Sequence, residues 1–468
     1  MNFMLLDIAL LILFLVFILI FLYVRRKRVK KEGVLLLYGT KWGVNSIKKF
    51  GEKHRKFLKR ISHVSIWLGY ALMAGMLYLF GKLLWIYLFN ADAVRAIKVP
   101  PIMPLIPYLP QIFKLSFLPP FYFTYWIIIL AVIAITHEYF HGIFAAANGI
   151  KTKKTGFGFF PFFLPIFLAA FVELDEKVMQ KKSAFAQKAV LSAGTFANIL
   201  TALAGVLLLW GFFAAAFAPA GVVYDDYAYS ITEVSEITML NGIALASPAY
   251  KDIESIMKEE GNVFSIGEET FTKVRGLSKD KELIALYYDS PAVKNELYGP
   301  IISINGEQTR SLDEFTNVIE QYSAGEEISL VTKVDGTEFM YTLVLQESPE
   351  NPEKAWIGIV FYGEQKGFIA KFSGFFSSYK EPHVYYEPKV EWFQFIYDLL
   401  WWLILISFSV ALVNMLPMGI FDGGRFFYLT ILQITGSKKK SEKSFKWVTN
   451  FLLGLVVLIM IFWVVQIL

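Results

Sequence analysis

Long apolar runs alternate with short basic segments along the chain, and one long polar stretch interrupts the series. Crossing a bilayer as a helix takes about 20 apolar residues. Six runs qualify as spans: 3–24, 64–89, 122–147, 189–218, 399–416 and 447–468. A further apolar piece, 157–171, contains Pro161 and Pro165. Proline removes a backbone donor and crowds the preceding turn, so this piece is not expected to be a straight spanning helix. It reads as a re-entrant or hairpin element packed against protein, where non-helical backbone at membrane depth is tolerated.

The polar stretch, 219–391, reads as a mixed α/β domain. Residues 300–305 alternate like a strand and end in the turn pair Asn305-Gly306. Ser311 is placed as an N-cap with Glu314 completing a capping box, followed by a helix over 312–322. Strands are expected at 327–334 and 338–345, joined at Asp335-Gly336. Upstream, Asn241-Gly242 precedes a helical stretch at 248–260, which suggests a divergent second copy of the same unit. The expected fold is an α-helical multi-pass membrane protein of about six spans. It carries a re-entrant element and an inserted α/β extramembrane domain. The expected parts are 1–119, two spans with a basic loop; 120–218, half of a membrane core; 219–391, the insert, best defined at 283–361; and 392–468, the other half with the last span.

Composition agrees with this pattern. The 468 residues are 56% hydrophobic, too apolar for an ordinary soluble chain. There is no Cys, which excludes disulfides, thiolate metal sites and a thiol nucleophile. The net charge of +5 conceals an asymmetry: 25–62 holds 14 Lys/Arg against 2 Asp/Glu, whereas 219–391 holds 14 Lys/Arg against 29 Asp/Glu. Short basic loops stay in the cytoplasm, so 25–62 and 436–446 are expected there, meeting anionic lipid headgroups rather than nucleic acid. With six spans, 219–391 falls outside. The basic run after the first span is the wrong arrangement for a cleaved signal peptide, which carries its charges ahead of the apolar run.

Within the third apolar run stands His137-Glu138-Tyr139-Phe140-His141. Residues i and i+4 share a helix face, so both imidazoles can reach one metal, with Glu138 beside them as the candidate base for an activated water. Ionisable side chains inside a membrane segment are costly and point to function. A catalytic metal of this kind takes a third protein ligand. His54, His63 and His383 lie in the basic loop or the polar stretch, so a carboxylate is favoured. Asp422, in Asn414-Met415-Leu416-Pro417-Met418-Gly419-Ile420-Phe421-Asp422-Gly423-Gly424, is the candidate, expected on unwound backbone at membrane depth. In between, Ala193-Gly194-Thr195-Phe196-Ala197-Asn198 offers small residues suited to close helix approach.

HExxH in a span, then the AGxxAN helix, then NxxPxxxxDGG resemble, in that order, the site-2 protease family of intramembrane zinc metalloproteases. The resemblance covers roughly 120–435 and departs at Thr195, where several members have proline. It implies one zinc ion per chain, bound by His137, His141 and Asp422, with Glu138 as catalytic base and Asn414 and Asn198 at the substrate. It also implies that the insert is PDZ-like; 289–293 and 302–306 are the closest pieces. The substrates implied are single-span membrane proteins, cleaved in or next to the bilayer by regulated intramembrane proteolysis, with peptide C-termini as possible ligands of the insert. Two other readings remain open. One is a membrane scaffold or transporter with a peptide-binding outer domain. The other is a prenyl-protein-type membrane zinc protease, whose third ligand would be a Glu in a later helix.

Overall fold

The computed structural model describes residues 3–32, 35–90, 103–115, 117–160, 167–258, 261–278, 282–349, 351–363, 367, 374 and 377–467. The chain forms two compact units, Met1–Gly211 with Phe395–Leu468, and Phe212–Gln394. Helices α1 (Phe3–Arg25), α2 (Val44–Lys53), α3 (Arg55–Phe89), α4 (Leu109–Ile112), α5 (Phe123–Ala147), α6 (Glu176–Gln180) and α7 (Ala184–Ala216) come first. Helices α8 (Tyr250–Ile256), α9 (Pro291–Lys294) and α10 (Leu312–Ile319) lie in the polar unit, and α11 (Phe393–Asn414), α12 (Asp422–Thr435) and α13 (Lys438–Ile467) follow. Six of these, α1, α3, α5, α7, α11 and α13, are long and apolar enough to span; the chain is an integral membrane protein. Helices α3 and α13 begin earlier than their apolar runs, at Arg55 and Lys438. Lysine and arginine are good helix formers, so a helix continues past the point where hydropathy falls.

The described ends of the 157–171 apolar piece, 157–160 and 167–171, lie on two paired antiparallel strands. Four antiparallel strands pair in the order β1 (Val29–Glu32), β2 (Leu35–Thr40), β3 (Thr152–Phe160), β4 (Phe167–Leu174). The first two come from the basic segment; β1 carries Lys30, Lys31 and Glu32, whereas β2 is uncharged. Pro161 and Pro165 lie outside the described residues. At Gly156 the strands come so close that a Cβ would strike the Tyr38 carbonyl and the Phe171 ring. Helix α2 is amphipathic and seats its apolar face on α5. The Ile47 side chain fills the space over Gly142, and Gly51 rests on Ala146 and the Ile143 carbonyl.

Helices α3, α5, α7 and α12 share a core that includes Ile66, Phe144, Val190 and Phe426. Close approach of α3 and α7 is sealed by a Ser65–Ser192 hydrogen bond of 2.7 Å. Lys188, buried, donates to Tyr70 Oη at 2.8 Å and Gln433 Oε1 at 2.5 Å, tying α7 to α3 and α12. Asp7, in the otherwise apolar α1, is fully buried. Its carboxylate accepts from the backbone N–H groups of Phe123 at 2.7 Å and Thr124 at 3.0 Å. It also accepts from Tyr108 Oη at 2.6 Å and from the Thr124 hydroxyl. A helix leaves its first four N–H groups without internal partners; here another helix supplies the acceptor for α5.

The polar unit repeats one sequence of elements. Strands β5 (Phe217–Val222), β6 (Asp226–Tyr227) and β7 (Tyr229–Glu233) open it. Then β8 (Met239–Leu240), the turn Asn241-Gly242, β9 (Ile243–Ala244), α8, β10 (Phe264–Ile266), β11 (Glu269–Ser278) and β12 (Leu283–Tyr288) follow. The order recurs as β13 (Ile301–Ile304), Asn305-Gly306, β14 (Glu307–Gln308), α10, β15 (Glu327–Val334) and β16 (Thr337–Val344). Both turn asparagines make the same clamp. Asn241 N–H donates to the Val263 carbonyl while its Oδ1 accepts from Val263 N–H, at 2.9 and 3.0 Å. Asn305 does this with Ser329, at 2.7 Å both ways. Both have positive φ, 52° and 47°, which asparagine tolerates better than most residues.

Each copy has its own sheet, ordered β7-β12-β11-β10-β8-β9 in the first and β16-β15-β13-β5 with a last strand, Val384–Pro388, beside β5 in the second. Each has its own core, around Leu240, Phe264 and Leu286 and around Ile304, Leu330 and Leu343. Ser311 caps α10 by accepting from Glu314 N–H at 3.1 Å. The Glu314 carboxylate reaches back to Arg310 N–H at 2.8 Å, one residue beyond the expected capping-box partner. Burial alone would raise the Asp226 carboxyl. Arg275 Nε at 2.7 Å, Tyr287 Oη at 2.9 Å and Tyr227 N–H at 2.9 Å hold it below the usual carboxylate range.

Candidate metal and active site

Helix α5 presents His137 and His141 one turn apart, with Nε2 atoms 3.0 Å from each other. Helix α7 runs across them and offers Gly194 at the crossing. A Cβ at Gly194 would lie well inside contact distance of both Nε2 atoms. The third group arrives from the C-terminal half. Helix α11 ends at Asn414, residues 415–421 leave the helix, and Asp422 opens α12. The turn is tight because Gly423 and Gly424 lack side chains; a Cβ on either would strike the backbone of Met415 and Leu416 or of Met418. Asp422 Oδ2 then lies 3.4 Å from His137 Nε2 and 3.2 Å from His141 Nε2. Asp422 therefore sits in the first turn of a helix rather than on the unwound backbone expected from its glycines. The ligand atoms of the three residues fall within 4.8 Å of one another.

Both imidazoles are held from behind. His141 Nδ1–H donates to the Val190 carbonyl at 2.7 Å. His137 Nδ1 faces the Asn198 amide, whose Nδ2 is at 3.1 Å, while the buried Asn198 Oδ1 has no partner. Turning that amide over lets Nδ1–H donate to Oδ1 and satisfies both groups. With both Nδ1 atoms protonated, both Nε2 lone pairs point at the Asp422 carboxylate. Three electron-rich atoms crowded at this range suit a cation between them. Two imidazoles and one carboxylate, each oriented by an outer hydrogen bond or a helix start, are the donor set of a catalytic divalent site.

Glu138, half-buried, lies in the wall of a pocket formed by α2, α5 and strands β2 to β4. Asn414 stands in the last turn of α11; among the described residues its amide has no hydrogen-bond partner. Asn198 is fully buried, with its amide beside His137 Nδ1. His54 and His63 pack on Phe50 and Phe185, and His383 pairs with Asp225 at 3.3 Å. None of these three joins the cluster. Gly194 serves the close helix approach expected of it, whereas the part played by the Val190 carbonyl was not read from sequence. The signal was present: Val190, Gly194 and Asn198 recur every four residues and so form one stripe along α7.

A family model described as Peptidase family M50 matches residues 125–461, well over half of the chain. The chain belongs to peptidase family M50. M50 is the site-2 protease family, so the protein is a membrane metallopeptidase. Helices α1 and α2, the strands β1 and β2 and all of α3 precede the M50 match. No curated protein matches the chain. Among solved structures it is similar to the PDZ domain of an SdrC-like protein from Listeria monocytogenes. Identity is 21% over 15% of this chain and 75% of that one, with a TM-score of 0.14.

Proposed function

We propose that this M50 peptidase is zinc-dependent and hydrolyses peptide bonds of membrane-spanning proteins within or next to the bilayer, as in regulated intramembrane proteolysis. The convergence of His137, His141 and Asp422 from α5 and α12 carries the reading. One zinc ion held by these three would supply Lewis acidity toward water and the scissile carbonyl. Glu138 accepts the proton of the attacking water and delivers it to the leaving amine. Val190 and Asn198 fix the imidazole tautomers, and Asn414 donates to the substrate backbone at the mouth of the site.

A helical substrate hides its amides in internal hydrogen bonds, so it must unwind before cleavage. Strand β4 is the outer strand of its sheet among the described residues, and its Val172 lines the pocket with Glu138. An extended segment laid along that edge would have its backbone groups satisfied. The repeated units in Phe212–Gln394 have a strand–turn–helix–strand order suited to PDZ-like recognition of peptide C-termini or to screening by size. By the distribution of Lys and Arg they lie outside the cytoplasm.

The test pairs metal analysis of purified wild type with Glu138→Gln. Stoichiometric zinc in both and hydrolysis in wild type alone supports the reading. A zinc-free wild type would instead favour a scaffold or transporter.

A further inference from the structure

We propose that the pocket beside Glu138 receives the side chain of the substrate residue next to the scissile bond. Trp42 and Ile47, from the segment ahead of the M50 match, would then set with Ala170 which side chains fit. This rests on the zinc-peptidase reading above. The pocket has an empty volume of ≈ 460 Å3, its open mouth included, and its lining includes Trp42, Ile47, Ala170, Phe171 and Val172. Apart from Glu138, that lining is mostly apolar, so it favours aliphatic and aromatic side chains over charged ones.

The position decides the occupant. A general base must lie within one hydrogen bond, or one water, of the atom whose proton it takes. The scissile carbonyl therefore sits a few ångströms from Glu138. The side chain flanking that carbonyl is then the part of the substrate that reaches the same cavity.

The walls are rigid. Ile47 is 2% exposed and is seated in the gap over Gly142, the residue after His141, while Gly51 locks α2 onto Ala146 and the Ile143 carbonyl. Helix α2 is thus registered against the metal-binding turn of α5, so its side chains stand at a fixed offset from the two histidines. Ala170 leaves space from the sheet side, where it is paired with Phe157. Trp42 is 72% exposed and forms the rim, so changing it should not disturb the core.

The experiment uses the full chain, loaded with zinc in lipid nanodiscs, and four peptide hydroxamates. These differ only in the side chain next to the chelating group: hydrogen, isobutyl, benzyl or carboxymethyl. Affinity is read by displacement of a fluorescent hydroxamate. Wild type is expected to bind the isobutyl and benzyl compounds at least about tenfold tighter than the hydrogen compound, and the carboxymethyl compound no better than it. Ala170→Phe should cut the benzyl-to-hydrogen ratio to about threefold or less by filling the pocket. Trp42→Ala should lower the same ratio by removing the rim. The ratio is read within each protein, so a loss of total sites cancels.

A wild type without side-chain preference overturns the proposal. Wild-type ratios in both variants also overturn it, as they would if the cavity held a lipid chain instead. If the hydrogen compound fails to bind wild type at all, the metal reading fails, and this proposal with it.

Discussion

Gly194→Ala separates helix stability from metal binding. In the middle of α7, alanine should be the better helix residue by about 1 kcal/mol. The new methyl, however, would lie inside contact distance of both His137 Nε2 and His141 Nε2. Carbon needs about 3.5–4.0 Å to its neighbours, so the two rings must withdraw by roughly 1 Å or α7 must shift. Metal ligands tolerate displacements of only about 0.2 Å. The expected overpacking penalty is about 1–3 kcal/mol, set against the helix gain of about 1 kcal/mol, so the variant should be destabilised by no more than about 2 kcal/mol. Zinc affinity should fall by more than about a hundredfold, beyond the usual cost of losing an outer-shell partner. Elemental analysis of the purified variant reads the metal, and detergent-phase thermal unfolding reads the fold. A Gly194→Ala protein with full zinc and wild-type hydrolysis would refute the geometry that places α7 over the two histidines.

Glu138→Gln should keep zinc and lose hydrolysis by about 10²–10⁴-fold, measured on a fluorogenic membrane substrate; wild-type turnover would remove Glu138 from its role. Asp422→Asn replaces the one carboxylate facing the two imidazoles with a neutral amide and should sharply weaken zinc binding in a chelator competition, and Asn198→Ala should cost about 10–100-fold in the same assay. For Asp226 the carboxyl is lower in the folded chain than in the unfolded one. Its contribution is therefore present above the unfolded value of about 3.9 and lost as pH falls through the folded one. Protection of the Tyr227 amide against hydrogen exchange, taken relative to the intrinsic rate at each pH, should fall below about pH 4 in wild type, and Asp226→Asn should remove that fall. Cysteines placed at Lys53 and Gly336 should label from opposite sides of the membrane; labelling from one side would contradict the proposed sidedness.

The spans and the chemistry were legible because each depends on residue type at short range. Hydropathy located six long helices within a few residues at most ends, and His137, Glu138 and His141 declare themselves within five positions. Asp422 could be named because glycine and proline around it announced a break, although the break is followed at once by helix. The sheet was half legible. The 157–171 piece reads as a re-entrant or hairpin element, but its partner strand at 35–40 lies in a basic segment, and nothing local says that this strand pairs with residues more than 100 positions away. For Asn198 the family resemblance implies a place at the substrate, and only the crossing of α7 over α5 brings its amide to His137 Nδ1. The matched clamps of Asn241 and Asn305 show why the repeat was faint in sequence. The shared feature is one asparagine bonding to the next strand, and the rest of each core is built from different residues.

Asp7 bears on how the protein is assembled during synthesis. The carboxylate that completes the start of α5 is made 116 residues before the Phe123 amide it receives. The first helix therefore has to find the third span after both are in the bilayer, and until then the Asp7 carboxylate lacks these partners. Exchanging it for another apolar helix of equal length should leave insertion intact. It would also leave two backbone donors and two hydroxyls at the start of α5 without their acceptor, and each unsatisfied group in hydrocarbon costs several kcal/mol. Such a chimera should reach the membrane at normal levels and be degraded there, with the defect in the rendezvous of two helices rather than in the delivery of either.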